Sequence, residues 1–276
     1  MTINVLFAVL VLGGLGGVLA LVLGGASQVL AVEKDERLDD VLAALPGANC
    51  GGCGYAGCAA LAEALVAGQA DVGACPVGGA ATAEALAALL GVELKKNTRL
   101  TALVRCSGGV RARRKFDYVG LPDCVAAMRL GDGGPLECSY GCIGLGSCVA
   151  ACPFGAISVR DDVAVVDHER CTGCLTCTKV CPKSLIIPVP YYADIVVACS
   201  SHERGGVLRK VCDIGCLGCR ICEKICKHGA VTITDSLASI DYEKCVSCGD
   251  CAEKCPRRLI VDTNLDRGPR RLSEAD

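Results

Sequence analysis

The chain has 276 residues, 24 of them cysteine, with no Trp, three Phe and a formal net charge of −2 from 28 Lys plus Arg against 30 Asp plus Glu. So even a charge balance gives no electrostatic handle for nucleic acid, and so many cysteines exclude an ordinary apolar-core domain in favour of a disulfide scaffold or a metal protein. The cysteines fall in tight runs such as CTGCLTCTKVCP and CVSCGDCAEKCP. Residues this close pair poorly with one another but can wrap a small inorganic core, and metal ligation supplies folding energy that a core poor in aromatics lacks.

In chain order, residues 1–32 carry no charged side chain. At about 1.5 Å per residue such a helix exceeds the about 30 Å of a bilayer core, so the sequence predicts a transmembrane helix over 1–32. A cleaved signal peptide fits less well, because no Lys or Arg precedes the run and the run is too long for its apolar region. Gly13 and Gly17 form a GxxxG, which suits helix packing in lipid or simple tolerance of Gly there. Lys34 and Arg37 follow the run and nothing basic precedes it. That asymmetry predicts a single pass through the cytoplasmic membrane with the bulk of the chain on the cytoplasmic side, a reducing compartment that also suits thiolates.

Leu38, Val41, Leu42 and Leu45 then recur at helical spacing up to Pro46-Gly47, predicting a short amphipathic helix. It opens a membrane-proximal domain, 33–95, whose Cys50, Cys53, Cys58 and Cys75 lie among glycines and around an Ala-rich helix. Four thiolates suffice for one [4Fe-4S] cluster, with structural zinc as the alternative for any such set. A connecting segment, 96–137, carries Cys106 and Cys124.

From residue 138 the chain repeats. Cys138, Cys142, Cys148, Cys152, Cys171, Cys174, Cys177 and Cys181 recur 74 positions later as Cys212, Cys216, Cys222, Cys226, Cys245, Cys248, Cys251 and Cys255. VDHERC answers IDYEKC, and FGAISV answers HGAVTI, so 138–190 and 191–265 are two copies of one module, followed by a tail at 266–276. Each alternates cysteine loops with β-rich runs: AISV, VAVV and LIIPV in the first, AVTIT, ASI and LIV in the second. This is the two-cluster bacterial ferredoxin pattern, in which three ligands come from one run and the fourth from the other.

The expected sets are Cys216, Cys219, Cys222 with Cys255; Cys245, Cys248, Cys251 with Cys226; and Cys171, Cys174, Cys177 with Cys152. The set of Cys142, Cys148 and Cys181 lacks a ligand, because Leu145 stands where the repeat has Cys219. Cys138 is available to complete it, with Gly141 freeing the backbone between. Five clusters then use 20 cysteines and leave Cys106, Cys124, Cys199 and Cys212, either a sixth cluster between the modules or ordinary buried thiols. Alternatively, Cys138 and Cys212 both belong to the extra site. The fold class expected is α+β: an N-terminal transmembrane helix, a small, mostly helical [4Fe-4S] domain, and two tandem two-cluster ferredoxin-like modules.

Multiple clusters in one chain mean one-electron transfer. No GxGxxG between strand and helix and no GxxxxGK[ST] is present, so nucleotide chemistry belongs to another subunit and no catalytic residue is assigned. His168, His202 and His228 form no ligand pair and read as surface or loop residues. The basic run Arg111, Arg113, Arg114, Lys115 is either a solvated loop or a steering patch for an acidic electron carrier, and Arg257 and Arg258 are read the same way.

PGANCGGCGYAGC followed by CP and GG, then ferredoxin modules carrying VRCSGG, LPDC and SYGCIGLGSC, closely resembles the B subunits of the Rnf ion-translocating ferredoxin:NAD+ oxidoreductases, in their longer, clostridial-type branch. The resemblance covers nearly the whole chain. It implies that Leu145 is regular in that branch, and that the protein is an electron-entry arm taking electrons from soluble reduced ferredoxin. It further implies partner subunits that are membrane-embedded, flavin-bearing and NAD-binding, with Na+ or H+ driven outward. The Cys50–Cys75 domain is then the exit side and the ferredoxin modules the entry side. Other readings are a subunit of an Rsx-like complex that reduces a redox-sensing regulator, or a membrane ferredoxin serving another reductase.

Overall fold

The computed structural model describes residues 2–29, 35–94, 98–130 and 133–263, with the side chains of the first helix described over 10–26. That helix, α1 (Thr2–Val29), turns its apolar side chains outward, Leu12 and Leu21 among them. A Cβ placed on Gly13 or Gly17 meets nothing within 4 Å, so its small-residue stripe packs on none of the described residues. The membrane expectation is corrected here: among the described residues no helix is long and apolar enough to cross a membrane. Lys34, half of the orientation argument, and the tail at 266–276 lie outside the described residues.

The first cysteine domain is three short helices, α2 (Arg37–Ala44), α3 (Cys58–Val66) and α4 (Gly79–Leu90). The apolar spacing of α2 turns Val41 inward and brings Leu45, just past its end, into the core, while Leu42 stays exposed. Leu61 and Leu86 close that core, each contributing about 1.5–3 kcal/mol by leaving water. Gly91 stops α4 in the left-handed conformation (φ 66°) with its N–H on the Ala87 carbonyl, which a side chain at that position would oppose.

Each ferredoxin-like module is a strand pair closing around a hairpin. In the first, β1 (Leu100–Val104) and β4 (Ile186–Pro190) are antiparallel, and β2 (Ile157–Arg160) turns at Asp161-Asp162 into β3 (Val163–Val166). In the second, β5 (Ile195–Val197) pairs with β8 (Ile260–Asp262), and β6 (Val231–Thr234) turns at Asp235-Ser236 into β7 (Leu237–Ile240). Both hairpin turns hold two residues at positive φ, a conformation that short Asp and Ser side chains tolerate. The repeat of the sequence is thus a repeat of topology. The strands β1 and β5 are not among the β-rich runs read from the sequence, and β1 lies in the segment expected to be a connection. Short helices fill the rest: α5 (Cys124–Met128), α6 (Ser147–Ala150) and α7 (Thr176–Val180) in the first half, and α8 (Gly205–Val211), α9 (Ile221–Ile225) and α10 (Asp250–Glu253) in the second.

Candidate iron-sulfur sites

Four loops of the modules share one backbone shape. Counting from the first cysteine, the residues at the second and fourth positions onward both have positive φ: Gly144 and Gly146, Gly173 and Leu175, Gly218 and Arg220, Ser247 and Gly249. These left-handed residues coil the chain so that the loop curls around a common centre. The loop carrying Leu145 keeps that shape, so its missing cysteine has not altered the backbone. Gly144 and its counterpart Gly218 also lie against the hairpin turns: a Cβ would fall 2.6 Å from the Asp162 carbonyl oxygen in one copy and 2.9 Å from Ser236 Cα in the other.

The 24 cysteines gather in groups of four. Cys50, Cys53, Cys58 and Cys75 ring one hollow under α3, and Cys216, Cys219, Cys222 and Cys255 ring another. Cys226, Cys245, Cys248 and Cys251 surround a third, and Cys152, Cys171, Cys174 and Cys177 meet around the buried Cys177. In these four the structure brings together cysteines grouped in the sequence reading.

In the remaining two, Cys138 does not join the first module's set; it lies with Cys212, as in the alternative reading. Cys124, not Cys138, lies with Cys142, Cys148 and Cys181. The cause is a local network: Asp123 caps α5 by accepting the Ala126 N–H at 2.7 Å, and the Ser147 hydroxyl donates to Asp123 at 3.0 Å while accepting the Cys124 N–H at 2.8 Å. Because Ser147 immediately precedes Cys148, that bond fixes Cys124 beside the loop whose position 145 is Leu.

Cys138 instead joins Cys106, Cys199 and Cys212 around a hollow between the modules. A ribbon of residues 111–115 lies between two neighbours. On one side Glu137 N–H donates to the Arg113 carbonyl and Lys115 N–H to Pro135; on the other Arg113 N–H donates to Val211 and Asp213 N–H to Arg111. Cys138 and Cys212 therefore face each other across Ala112, Leu136 and Leu208. Cys106 and Cys199 arrive just after β1 and β5, at equivalent places in the two modules. Spacing could not reveal this; a signal was available in the symmetric placement of Cys106 and Cys199 after apolar runs.

The donor chemistry fits [4Fe-4S] clusters. Among the described residues no three His, Cys, Asp or Glu side chains converge closely enough for a single metal ion; the thiols surround hollows instead. Burial, with neighbouring thiols adding to it, pushes Cys177 up to about 12 and Cys138, Cys142, Cys148, Cys222 and Cys251 up to about 11. Groups so opposed to ionising become thiolates together only around a multivalent cationic core. Backbone N–H groups point at the sulfurs, among them Gly78 on Cys75 at 3.4 Å, Ala156 on Cys152 at 3.4 Å and Ala230 on Cys226 at 3.3 Å, the arrangement that stabilises thiolate ligands.

The other singled-out residues are structural. His202 is exposed, stacks edge-on against Tyr140 at 5.7 Å and contacts the Asp235 carbonyl at 3.2 Å. Arg114 pairs with Asp162 at 2.7 Å, and the rest of its basic run has exposed side chains. Arg257 is no solvated loop residue: it is half-buried, and its guanidinium donates to the Cys212 carbonyl at 2.7 Å.

A family model described as "Putative Fe-S cluster" matches residues 45–77, and a "4Fe-4S dicluster domain" matches 141–185 and 215–259. Cys106, Cys124, Cys138, Cys199 and Cys212, the residues the sequence left unresolved, all lie outside these matches. The chain is 43% identical over 255 residues to the B subunit of the ion-translocating oxidoreductase complex of Methanosarcina acetivorans, covering 92% of this chain and 96% of that one. It is 42% identical to the B subunit of the Na(+)-translocating ferredoxin:NAD(+) oxidoreductase complex of Acetobacterium woodii, over 92% and 78% of the two chains. To the proton-translocating counterpart of Clostridium ljungdahlii it is 40% identical over 96% of each. A shorter relative from Shewanella amazonensis, 34% identical, matches 55% of this chain. Multiple four-thiol sets on a duplicated dicluster scaffold, with identity of this extent, place the chain in the family of B subunits of ion-translocating oxidoreductase complexes.

Proposed function

We propose that this subunit holds six [4Fe-4S] clusters and conducts single electrons from reduced ferredoxin toward partner subunits of an ion-translocating oxidoreductase, which reduce NAD+. When bound, the clusters supply reversible one-electron chemistry. The observation that carries the reading is that all 24 cysteines fall into six four-thiol sets.

The residues supporting the sets make them neighbours in one order. Gly52 in the first domain packs on Cys174, its would-be Cβ 2.6 Å from the Cys174 carbonyl oxygen. Within the first module, Cys148 of one set lies beside Cys177 of the other. Cys106 accepts the N–H of Cys142 at 3.4 Å, and Cys199 accepts that of Cys216 at 3.4 Å, so the site between the modules adjoins both. At the far end Cys219 and Cys248 are the exposed cysteines, where an outside electron carrier can approach most closely. Arg220, Lys244 and Lys254 are exposed near them, each paired with an acid of this chain (Glu223 at 3.6 Å, Asp241 at 3.0 Å and Glu253 at 3.2 Å), and can exchange that partner for a carboxylate of an acidic carrier.

The test is stopped-flow reduction of the reconstituted protein by reduced ferredoxin. Arg220→Glu with Lys244→Glu slows the second-order rate, most at low ionic strength. An unchanged rate with unchanged salt dependence places entry elsewhere.

A further inference from the structure

Two of the thiol-lined hollows carry a cation in their walls. The hollow ringed by Cys216, Cys219, Cys222 and Cys255 is lined elsewhere by apolar residues, Leu217, Ile233 and Leu259 among them, and Arg257 is its one charged residue among the described residues. Lys183 has that place in the hollow ringed by Cys124, Cys142, Cys148 and Cys181. The two cations are repeat counterparts, each two residues past the last cysteine of its module. Among the described residues no Lys or Arg lines the hollows of the Cys50–Cys75 and Cys226–Cys251 sets, and the latter has Asp250 and His228 instead.

The counterparts spend their donors differently. Lys183 Nζ donates to the carbonyls of Ser139 at 2.7 Å and Gly133 at 2.8 Å. Arg257 donates through one terminal nitrogen to the Cys212 carbonyl at 2.7 Å, while its Nε is buried and has no partner in the structure. A guanidinium holds its donors in a rigid planar fork, so one end can be anchored while Nε–H stays free for a second acceptor. A buried charged donor without an acceptor is costly, and native structures keep few of them. The side chains lining this hollow offer no acceptor other than sulfur.

We propose that the Nε–H of Arg257 is the donor kept for the [4Fe-4S] group of the Cys216–Cys219–Cys222–Cys255 site, and that this bond, with the guanidinium charge, favours the reduced state of that site. Reduction adds one electron and one negative charge there, and a hydrogen bond to sulfur and a nearby cation both become more favourable as that charge grows. Arg257 keeps its proton throughout, so no co-reactant is needed beyond the electron donor. Because Cys219 is exposed, the residue readies for reduction a site that an outside one-electron carrier can approach. Its anchor on Cys212, a thiol of the central set, holds the guanidinium in place whatever the charge of the site.

The inference rests on the reading of these four thiols as [4Fe-4S] ligands, and the experiment separates the two. Iron is counted and EPR signals are followed against applied potential in the reconstituted full chain, with Cys219→Ser identifying the signal of this site. In Arg257→Met that signal moves to lower potential more than any other. Arg257→Lys keeps the charge but has a single nitrogen, which the Cys212 carbonyl occupies, and gives a smaller shift in the same direction. If Cys219→Ser alters neither the iron count nor any signal, the reading of the set itself is overturned. Arg257→Lys at the wild-type potential, or Arg257→Met moving all signals equally or none, overturns the role of Arg257 alone. Loss of about four irons, one set's worth, in both Arg257 variants does so too, because it marks the residue as a structural support.

Discussion

The placement of Cys124 and Cys138 is open to an additivity argument. If four thiols hold one cluster, losing any one costs about four irons, and losing a second from the same set costs little more. Cys124 lies with Cys142, Cys148 and Cys181, whereas Cys138 lies with Cys106, Cys199 and Cys212. From about 24 irons, Cys124→Ser and Cys138→Ser each leave about 20. Cys124→Ser with Cys181→Ser leaves about 20 again, while Cys124→Ser with Cys138→Ser leaves about 16. The assay is iron and acid-labile sulfide per chain after anaerobic reconstitution, with EPR on the same samples. The refuting result is specific: Cys138→Ser with Cys181→Ser retaining as much iron as Cys138→Ser alone would put Cys138 in the first module's set, as spacing alone suggested.

The remaining predictions address what positions the sites. Ser147→Ala removes the bonds at 2.8 and 3.0 Å that tie Cys124 to α6, at about 1 kcal/mol each; the set holding Cys124 should lose iron to a chelator first, and an unchanged order of loss would show that the hydroxyl is dispensable. Leu208 is fully buried among Ala112, Leu136, Cys138 and Cys212, so Leu208→Ala costs about 2–5 kcal/mol in unfolding experiments, and an unchanged unfolding free energy would refute its part in holding the modules together. Gly52→Ala drives a Cβ to 2.6 Å from a backbone oxygen and 2.9 Å from Cys174 Cα, atoms that cannot yield as a flexible side chain could. It should cost about 1–3 kcal/mol and raise hydrogen exchange at 50–54 and 172–175; unaltered protection there would mean that the two domains do not rely on this contact.

Much of the site was legible because cluster ligation is local. Three cysteines at fixed spacing must curl around a common centre, and the positive φ values at Gly144 and Gly146 repeat at Gly218 and Arg220 whatever lies between. The β-rich runs after the loops were legible for the same reason, since a two-residue turn joins each hairpin. The strands β1 and β5 were hidden because their partners, β4 and β8, lie more than sixty residues further along the chain. The apolar run at the N-terminus shows the opposite error. Its composition predicts a membrane crossing, yet among the described residues no helix is long and apolar enough for one.

By itself, then, the sequence determined the chemistry: thiols in repeated local runs, too many and too regular for anything but iron-sulfur sites on a duplicated module. Tertiary structure decided the membership of the two sets that draw on distant cysteines. Cys124 reaches the loop containing Leu145 because the Ser147 hydroxyl receives its N–H, and Cys138 is drawn away because the 111–115 ribbon binds 135–137 on one side and 211–213 on the other. Such bonds join residues far apart in the chain, and the spacing of cysteines carries no record of them.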